Sequence, residues 1–242
     1  MLQDIKNTDV LFLDIETVSA YKSFDELPKR MKVLWTKKAK SLTKQEDIKP
    51  EELYERAGIY AEFGKIVCIS VGFMVKKQDE FAFRLKSFYG DDEKKILNDF
   101  NSLLRKSFTR DNQYLCGHNA KEFDFPYIAR RSLINGLKLP PQLNISGKKP
   151  WEVKHLDTMD LWRFGDYKSY TSLNLLTAVF DIPTPKDDID GSQVGKVYWE
   201  ENNIERIAEY CQKDVLAVAQ LFLKYKGEAL IKAENIEIIK AN

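Results

Sequence analysis

Cysteine and histidine, the residues of disulfide frameworks and zinc sites, are scarce in this sequence, with three cysteines and two histidines among 242 residues. Cys68, Cys116 and Cys211 each lie inside an apolar segment, and none forms a C-x-x-C pair. We therefore expect reduced, buried thiols in a cytoplasmic protein. His118 and His155 have no second histidine or cysteine at ligand spacing, so a zinc site is not expected, and we interpret His118 as a hydrogen-bonding loop residue.

Long apolar runs and a net excess of charge are also missing. No apolar stretch approaches about 18 residues, and the amino terminus has no basic segment followed by an apolar one, so we expect neither membrane spanning nor secretion. The net charge is +1, so a nucleic-acid partner would have to be bound by local basic patches or through metal ions. With 43% hydrophobic residues, residues 1–242 are expected to form a single domain with a substantial core.

The segment Val10–Thr17, VLFLDIET, joins an apolar run to two acids. Val10–Leu13 is unbroken in its apolar character, which is typical of a strand covered on both faces. Asp14 and Glu16 follow, and side chains two residues apart on a strand point to the same face. Two carboxylates under apolar cover repel each other unless a hard cation such as Mg²⁺ or Mn²⁺ lies between them. The alternative is a strand that ends in solvent, with Asp14 capping a turn.

The apolar patterns of the remaining chain predict an α/β fold. Further strands are predicted at Ile66–Val75, Phe81–Phe88, Tyr114–Gly117 and Lys154–Leu156. Helices are predicted from Asp91 or Asp92 to about Phe108, from Asp124 through Ile134, and at Thr171–Phe180 and Ile204–Lys226, with a polar loop at 184–199. This order of elements favours a mixed β-sheet flanked by α-helices.

An acid lies within the apolar stripe of the last predicted helix. Ile207 and Val218 belong to that stripe, and helical periodicity places Asp214 inside it. Tyr210 precedes Asp214 by one turn and therefore lies on the same side. A buried carboxylate needs a partner. A metal shared with the two acids of the first strand would be one partner, and a nearby lysine, arginine or backbone amide would be another.

A fourth candidate acid is Asp124, in the segment Gly117–Tyr127, GHNAKEFDFPY. It stands where a predicted strand passes into a predicted helix, and its ordinary role there would be a helix cap. Beside Asp14 it would instead complete an acidic cluster. Asp157 and Asp160 also lie near a strand end, and we interpret them as turn or cap residues.

Three short motifs occur in order: D-I-E-T at Asp14–Thr17, N-x-x-x-F-D at Asn119–Asp124 and Y-x-x-x-D at Tyr210–Asp214. Together they resemble the DEDD superfamily of 3′–5′ exonucleases, and the tyrosine is typical of its tyrosine (DEDDy) branch. The histidine branch would have a histidine one residue earlier, where this chain has Glu209. The segments IVCISVGF, HLDTMDL and DIDGSQV resemble bacterial stand-alone exonucleases related to the proofreading domain of family-B DNA polymerases. The resemblance covers nearly the whole chain except residues 21–58.

The resemblance implies an RNase H-like sheet of three antiparallel strands plus parallel strands. It also implies phosphodiester hydrolysis with two Mg²⁺ or Mn²⁺ ions and the release of nucleoside 5′-monophosphates. Asp14 would bridge both ions, Glu16 and Asp214 would hold the ion that carries the attacking water, and Asp124 would hold the other. Tyr210 would orient that water, because an unperturbed tyrosine pKa near 10 suits a donor better than a base.

By the same resemblance, Thr17, Asn119 and Phe123 would contact the 3′-terminal nucleotide. We therefore expect a cytoplasmic DNA-repair exonuclease that acts on the 3′ ends of single-stranded DNA and has no membrane partner. The same chemistry on short RNA is the alternative among enzymes. A non-catalytic module that binds nucleic-acid ends is the alternative from another class, although the presence of all four acids and Tyr210 favours a catalytic site.

Residues 21–58 are polar and locally basic, and we expect a basic insertion here. Between Pro28 and Lys49, only Glu46 and Asp47 oppose the basic residues. The basic residues are Lys29, Arg30, Lys32, Lys37, Lys38, Lys40, Lys44 and Lys49. The insertion would be either a solvated helical segment or a flap on the phosphate backbone, with Trp35 stacking on a base.

Overall fold

The computed structural model describes residues 2–43, 48–77, 80–166, 168, 170–183 and 189–239. The strands among them are Val10–Ser19 (β1), Gly64–Lys77 (β2), Glu80–Tyr89 (β3), Tyr114–Gly117 (β4), Leu156–Asp157 (β5) and Ile236–Ile239 (β6). The α-helices are Lys29–Leu42 (α1), Glu93–Ser107 (α2), Asp124–Ile134 (α3), Thr158–Arg163 (α4), Leu173–Val179 (α5), Val194–Trp199 (α6) and Ile204–Lys226 (α7).

The strands form one mixed sheet in the order β5-β4-β1-β2-β3-β6. β1, β2 and β3 pair antiparallel, whereas β4 is parallel to β1, β5 to β4 and β6 to β3. The predicted combination of three antiparallel strands with parallel ones is confirmed. None of the described helices is both long and apolar enough to span a bilayer.

β1 lies in the middle of the sheet, and its pairing explains why two acids can stand there. Val10–Leu13 are fully buried, as predicted for a strand covered on both faces. The strand extends beyond the prediction to Ser19 because its pairing with β2 continues, with a register shift after Glu16. On the other side, the pairing with β4 ends at Phe12. Asp14 and Glu16 therefore lie just past the last residue of β1 that pairs with β4.

Helices cover both faces of the sheet. On one face, the rings of Phe12 and Phe222 from α7 are 5.4 Å apart. On the other, Leu13 packs in a cluster that includes Phe100 from α2. Because side chains alternate along a strand, Asp14 lies on the same side as Phe12 and faces α7.

A smaller cluster joins α1 to a 3-10 helix at Tyr54–Ile59. Trp35 is 0% exposed, its ring centre lies 5.1 Å from that of Phe63, and its indole N–H donates to the Pro50 carbonyl at 2.8 Å. The prediction that Trp35 stacks on a base is therefore wrong. The large apolar surface of the indole is buried against its own segment, and its polar N–H is satisfied there.

The structure also differs from the predicted elements elsewhere. The predicted polar loop at 184–199 contains α6, because Val194 and Val197 pack against the apolar stripe of α7. β6 was not predicted, since four residues show too little alternation and its pairing with β3 comes from far away in the sequence. Lys44, Glu46, Asp47 and the first residue of the DIDGSQV segment lie outside the described residues.

Candidate active site

Three elements bring the four predicted acids together. Asp14 and Glu16 lie on β1, Asp124 is the first residue of α3, and Asp214 lies midway along α7. Burial raises the pKa of Asp14 well above its ordinary value, and the charges of Asp124, Glu16 and Asp214 raise it further. The four carboxylates therefore lie within electrostatic reach of one another, and we call them the acid cluster.

The two acids of β1 also approach a thiol. A carboxylate oxygen of Asp14, one of Glu16 and the sulfur of Cys211 all lie within 4.8 Å of one another. The thiol donates to the backbone oxygen and to Oδ2 of Asp14, at 3.4 Å each. Burial, followed by the charge of Asp214, raises the pKa of Glu16 well above its ordinary value. Ionising both acids in this setting is costly without a positive charge nearby.

Asp124 ties the start of α3 to β1. Its carboxylate accepts hydrogen bonds from its own backbone N–H and from that of Ile15. Burial raises the pKa of Asp124 to about 7, and the charges of Asp157 and Asp214 add to the increase. The cap position of α3 belongs to Phe123, which makes no side-chain cap hydrogen bond. Asp124 is therefore directed at β1 and is not the ordinary helix cap considered as its alternative role.

Tyr210 lies one turn before Asp214, as predicted. Its hydroxyl donates a hydrogen bond to the Asp214 carboxylate. Burial raises the pKa of Tyr210 far above its usual range, and the charges of Asp214, Glu16 and Asp14 contribute to the increase. The hydroxyl therefore stays protonated near neutral pH, where it can donate a hydrogen bond but cannot act as a base.

The acid cluster has the chemistry of a divalent-cation site. Its carboxylates offer oxygen ligands, which Mg²⁺ and Mn²⁺ prefer, and a bound cation would remove their mutual repulsion. The sulfur of Cys211 beside Asp14 and Glu16 adds a softer donor to this set. The residues present therefore fit divalent cations.

Asp157, at the end of β5, fixes the loop that leads to Asp124. Its carboxylate, in a side chain that is 2% exposed, accepts hydrogen bonds from the backbone N–H groups of Asn119 at 2.9 Å and Lys121 at 3.0 Å. It also caps α4 by accepting from the backbone of Met159 at 2.9 Å and of Asp160 at 3.4 Å. The predicted cap role of Asp157 is confirmed, and the loop contacts are a second role.

The three predicted substrate-binding residues flank the acid cluster. Asn119 has a left-handed backbone with φ of 59°, and its side-chain Oδ1 is buried without a hydrogen-bond partner among the described residues. Phe123, directly before Asp124, is half-buried and lies 5.3 Å from the ring of Tyr127. The Thr17 hydroxyl, directly after Glu16 in the chain, donates to the Tyr127 hydroxyl.

His118 and the cysteines have the environments predicted for them. The His118 Nδ1 lies 2.9 Å from the Thr158 hydroxyl, and its Nε2 lies 2.9 Å from the Thr171 carbonyl oxygen. Burial lowers the pKa of His118, so the ring is a neutral hydrogen-bonding residue of the loop. The three cysteines are buried and form no disulfide.

Two residues at this site have roles that the sequence did not predict. Cys211 was expected to be an ordinary buried thiol, although its position directly after Tyr210, inside the Y-x-x-x-D motif, could have indicated a place beside the acids. Asp157 was expected only to cap a turn or helix, and it also holds the loop before Asp124. No local pattern carries that signal, because the contact joins segments 36 and 38 residues apart.

The mixed sheet, with helices on both faces and carboxylates gathered around its central strand β1, has an RNase H-like fold. A family model described as "Predicted 3'-5' exonuclease related to the exonuclease domain of PolB" matches residues 59–235, and the chain belongs to this family. The matched range includes Asp124, Tyr210 and Asp214, and it begins after Asp14 and Glu16.

Among solved structures, the chain is similar to the family B DNA polymerase from the hyperthermophilic archaeon Pyrobaculum calidifontis. The sequences are 17% identical and the TM-score is 0.48. The match covers 88% of this chain and 24% of the polymerase. The chain therefore spans about a quarter of the length of that polymerase.

Proposed function

We propose that this protein is a 3′–5′ exonuclease of the tyrosine (DEDDy) branch that removes nucleotides from the 3′ end of single-stranded DNA and releases nucleoside 5′-monophosphates. The observation that carries the proposal is the convergence of Asp14, Glu16, Asp124 and Asp214 from β1, α3 and α7. Stability alone does not favour this arrangement, since gathering several buried carboxylates at one point is unfavourable unless cations bind there.

In this proposal, Asp14, Glu16, Asp124 and Asp214 would hold the divalent cations. The cations, Mg²⁺ or Mn²⁺, would supply Lewis-acid activation of water and neutralise the charge that develops on the phosphate. Hydrogen bonds within the chain fix the positions of the carboxylates that would bind the cations. The backbone N–H of Ile15 orients Asp124, and the thiol of Cys211 orients Asp14.

Tyr210 orients the attacking water in this proposal. Its hydroxyl donates to Asp214 when no substrate is bound, so it already points toward the acid cluster. Burial and the nearby acids raise the pKa of Tyr210 far above the usual range when no cation is bound. The hydroxyl is therefore a hydrogen-bond donor, and as a donor it would position the nucleophile.

The terminal nucleotide would lie against Asn119 and Phe123, next to Thr17. The buried, unpartnered Oδ1 of Asn119 is suited to accept a hydrogen bond from a sugar hydroxyl, since buried polar atoms are normally paired. The half-buried ring of Phe123 can pack on the sugar or the base. Both residues lie on the segment fixed by Asp157.

We further propose that residues 1–242 form one domain in which 21–58 is a basic insertion that captures the substrate strand. The exposed face of α1 carries Arg30, Lys37 and Lys40 at helical spacing. Lys38 is turned away from this face, since its ammonium nitrogen lies 4.3 Å from the ring centre of Tyr60. We call Arg30, Lys37 and Lys40 the α1 basic face.

The cluster that holds α1 is attached to the elements of the site. The Tyr127 hydroxyl of α3 donates to the Gly58 carbonyl at 2.6 Å. The Ala20 N–H, directly after β1, donates to the Phe63 carbonyl at 2.9 Å. These contacts support the proposal that the α1 basic face lies near the strand and helix that carry Asp14 and Asp124. Positive charge there would offset the repulsion between the acids and an incoming phosphate backbone.

The proposal is tested with the purified chain and oligonucleotides labelled at either end, in Mg²⁺, in Mn²⁺ and in EDTA. We expect 5′-labelled single-stranded DNA to shorten one nucleotide at a time and the 3′ label to leave as a mononucleotide, with no reaction in EDTA. Asp14→Asn and Asp214→Asn should be inactive while keeping the wild-type fold. Faster loss from RNA would favour the RNA alternative, and no loss from either polymer would favour the non-catalytic end-binding module.

A further inference from the structure

A bulky aromatic residue stands fully in solvent on the loop that follows α4. Phe164 is 91% exposed, and its backbone is in the left-handed region, with φ of 44°. The next residue, Gly165, also has a positive φ, of 93°. Two successive left-handed residues turn the chain sharply at the end of α4 and leave the Phe164 ring projecting from the surface.

This conformation is unfavourable for phenylalanine, because its Cβ crowds the backbone when φ is positive. Such strain is normally offset by packing, but the Phe164 ring is exposed and gains little from burial. Glycine would adopt the same turn without strain. The folding free energy therefore gives no reason for an aromatic ring at this position.

The loop lies beside the segment that leads to Asp124. α4 begins directly after Asp157, which pairs with Gly117 across the sheet. At the other end of α4, the Arg163 guanidinium lies 3.6 Å from a carboxylate oxygen of Glu122. Phe164 is thus attached to a residue that contacts the chain two positions before Asp124.

The other end of the loop is also anchored to the segment that leads to Asp124. The Thr171 carbonyl oxygen is hydrogen-bonded to His118 Nε2, and Tyr170, directly before Thr171, is 67% exposed. The loop therefore presents a second accessible aromatic ring next to an anchored residue. Charges on this loop and on the adjoining helix are mixed. On α4, Arg163 lies 2.8 Å from Asp160, and on the loop the exposed Lys168 follows Asp166.

We propose that Phe164, assisted by Tyr170, is a stacking platform for the bases of the single strand a few nucleotides before the 3′ end. Exposed aromatic rings beside a nuclease site bind unpaired bases of any sequence, since every base has a flat apolar face. The platform rests on the proposed function. Asn119 and Phe123 would hold the terminal nucleotide, and the rest of the DNA strand would leave the site past the loop that follows α4. Because the charges on and next to this loop nearly balance, we expect the platform to bind DNA by stacking on its bases and not by pairing with its phosphates.

The direct test is the affinity for oligonucleotides that contain the fluorescent base 2-aminopurine near the 3′ end, measured in EDTA so that no cleavage occurs. Stacking quenches this fluorophore. We expect Phe164→Ala to weaken binding about 5- to 150-fold and to reduce the quenching. The salt dependence of binding should stay the same, because no phosphate contact is lost. Phe164→Trp should retain both affinity and quenching.

Trp151→Ala is the matched control. Trp151 is 78% exposed but precedes β5 in the chain, so it lies toward the opposite end of the parallel strands from the acid cluster. Its replacement should change neither binding nor quenching. Phe164→Gly should bind as weakly as Phe164→Ala and melt at the wild-type temperature or above, because the backbone strain is removed. The melting temperature of Phe164→Gly therefore distinguishes weaker binding caused by loss of the ring from weaker binding caused by unfolding.

Kinetics distinguish the platform from the proposed function. In Mg²⁺, Phe164→Ala should raise KM for long oligonucleotides and leave turnover of a dinucleotide unchanged. Wild-type affinity and quenching in both Phe164→Ala and Phe164→Gly would overturn the platform and would favour a protein as the occupant of this loop. If the wild-type chain cleaves nothing, the exonuclease proposal fails, and the binding measurement in EDTA still decides on the platform.

Discussion

At the residue scale, Tyr210 shows how a fixed environment assigns one role to a side chain that could have several. Burial keeps its hydroxyl protonated, and the acids add to this effect, because an ionised phenolate beside Asp214, Glu16 and Asp14 would be repelled. The hydrogen bond to Asp214 fixes the direction of the hydroxyl. In the cation-free chain, the acids that would bind cations therefore also help to keep the proposed water-orienting group in its donor form.

Replacing Tyr210 with phenylalanine tests this role. Tyr210→Phe keeps the ring and removes the hydroxyl, so we expect kcat to fall about 10²- to 10⁴-fold, with cation affinity close to wild type. Single-turnover cleavage and a cation-dependent thermal shift measure the two quantities. Tyr198→Phe is the matched control, because Tyr198 donates to Asp91 at 2.6 Å, another tyrosine–carboxylate pair. A wild-type rate in Tyr210→Phe would make Tyr210 a packing residue.

At the element scale, the short strand β5 contributes through a single side chain. Asp157 is buried and accepts four backbone hydrogen bonds, two from the loop before Asp124 and two from the start of α4. The loop residue Asn119 needs such support, because its left-handed backbone is uncommon. Asp157 therefore joins two of the segments that surround the acid cluster.

Substituting Asp157 tests how much its hydrogen bonds stabilise the fold. We expect Asp157→Ala to reduce the free energy of unfolding by roughly 2–5 kcal/mol, since several buried donors lose a charged acceptor. Asp157→Asn retains one acceptor oxygen and should lose less stability. Urea unfolding measures both. Asp111→Ala, at an exposed acid, is the control, and equal stability of all three variants would show that the loop does not depend on Asp157.

The α1 helix has one buried face that holds it in place and one exposed face that carries Arg30, Lys37 and Lys40, the proposed contacts for the substrate strand. Replacing Arg30, Lys37 and Lys40 together with glutamine should raise KM and leave kcat unchanged. The slope of log affinity against log salt should decrease by about 2, since each lost phosphate contact with a single strand contributes about 0.7. Lys38 is left intact because it packs on Tyr60.

The control for this experiment replaces three exposed lysines elsewhere, Lys76, Lys94 and Lys106, which changes the net charge equally. It should leave KM and the salt slope close to wild type. If the α1 variant keeps the wild-type KM and salt slope but loses self-association or a protein contact, α1 is a partner-docking surface and not a substrate-binding one.

At the scale of the whole molecule, the acid cluster should make stability depend on pH in an unusual direction. A carboxyl group whose pKa is higher in the folded chain than in the unfolded chain holds its proton better when folded, so stability is lost as pH rises through the folded pKa. Moving the pKa of Asp124 from 3.8 to about 7 corresponds to at most about 4 kcal/mol. The pKa values of Asp14 and Glu16 are raised as well.

We therefore expect the melting temperature in EDTA to fall as the pH rises from about 5 to 8, and Mg²⁺ or Mn²⁺ to reverse the fall. A cation at 100 times its Kd adds about 2.7 kcal/mol. Asp14→Asn should flatten the pH dependence in EDTA and raise the melting temperature there, whereas Asp25→Asn at an exposed acid should do neither. Burial lowers the pKa of His155 to about 4, and this makes stability rise with pH, opposite to the effect of the acids. The informative quantity is therefore the difference in melting temperature between EDTA and metal at each pH. An equal fall with metal present would contradict a cation site.

The sequence by itself determined the features that depend on local pattern. The apolar run Val10–Leu13 predicted a buried strand, and the place of Asp214 within a helical stripe predicted an acid on the packed side of α7. Both depend on neighbours a few residues away, where strand or helix periodicity fixes which side chains share a face. The resemblance carried by the three motifs implied which acids would meet, and the structure brings those acids together.

Only the tertiary structure decided the features that depend on contacts between distant segments. Trp35 has the same sequence context whether it is buried or free to stack, and the cluster formed with Tyr54 and Phe63 buries it. The loop residues that donate to Asp157 lie 36 and 38 positions earlier in the chain. β6 forms because it pairs with the edge strand β3, which is distant in the sequence. The exposure of Phe164 follows from a turn whose conformation its own residue type disfavours. For Trp35, Asp157 and β6, the deciding neighbour lies beyond the range of local periodicity, and only folding brings it close.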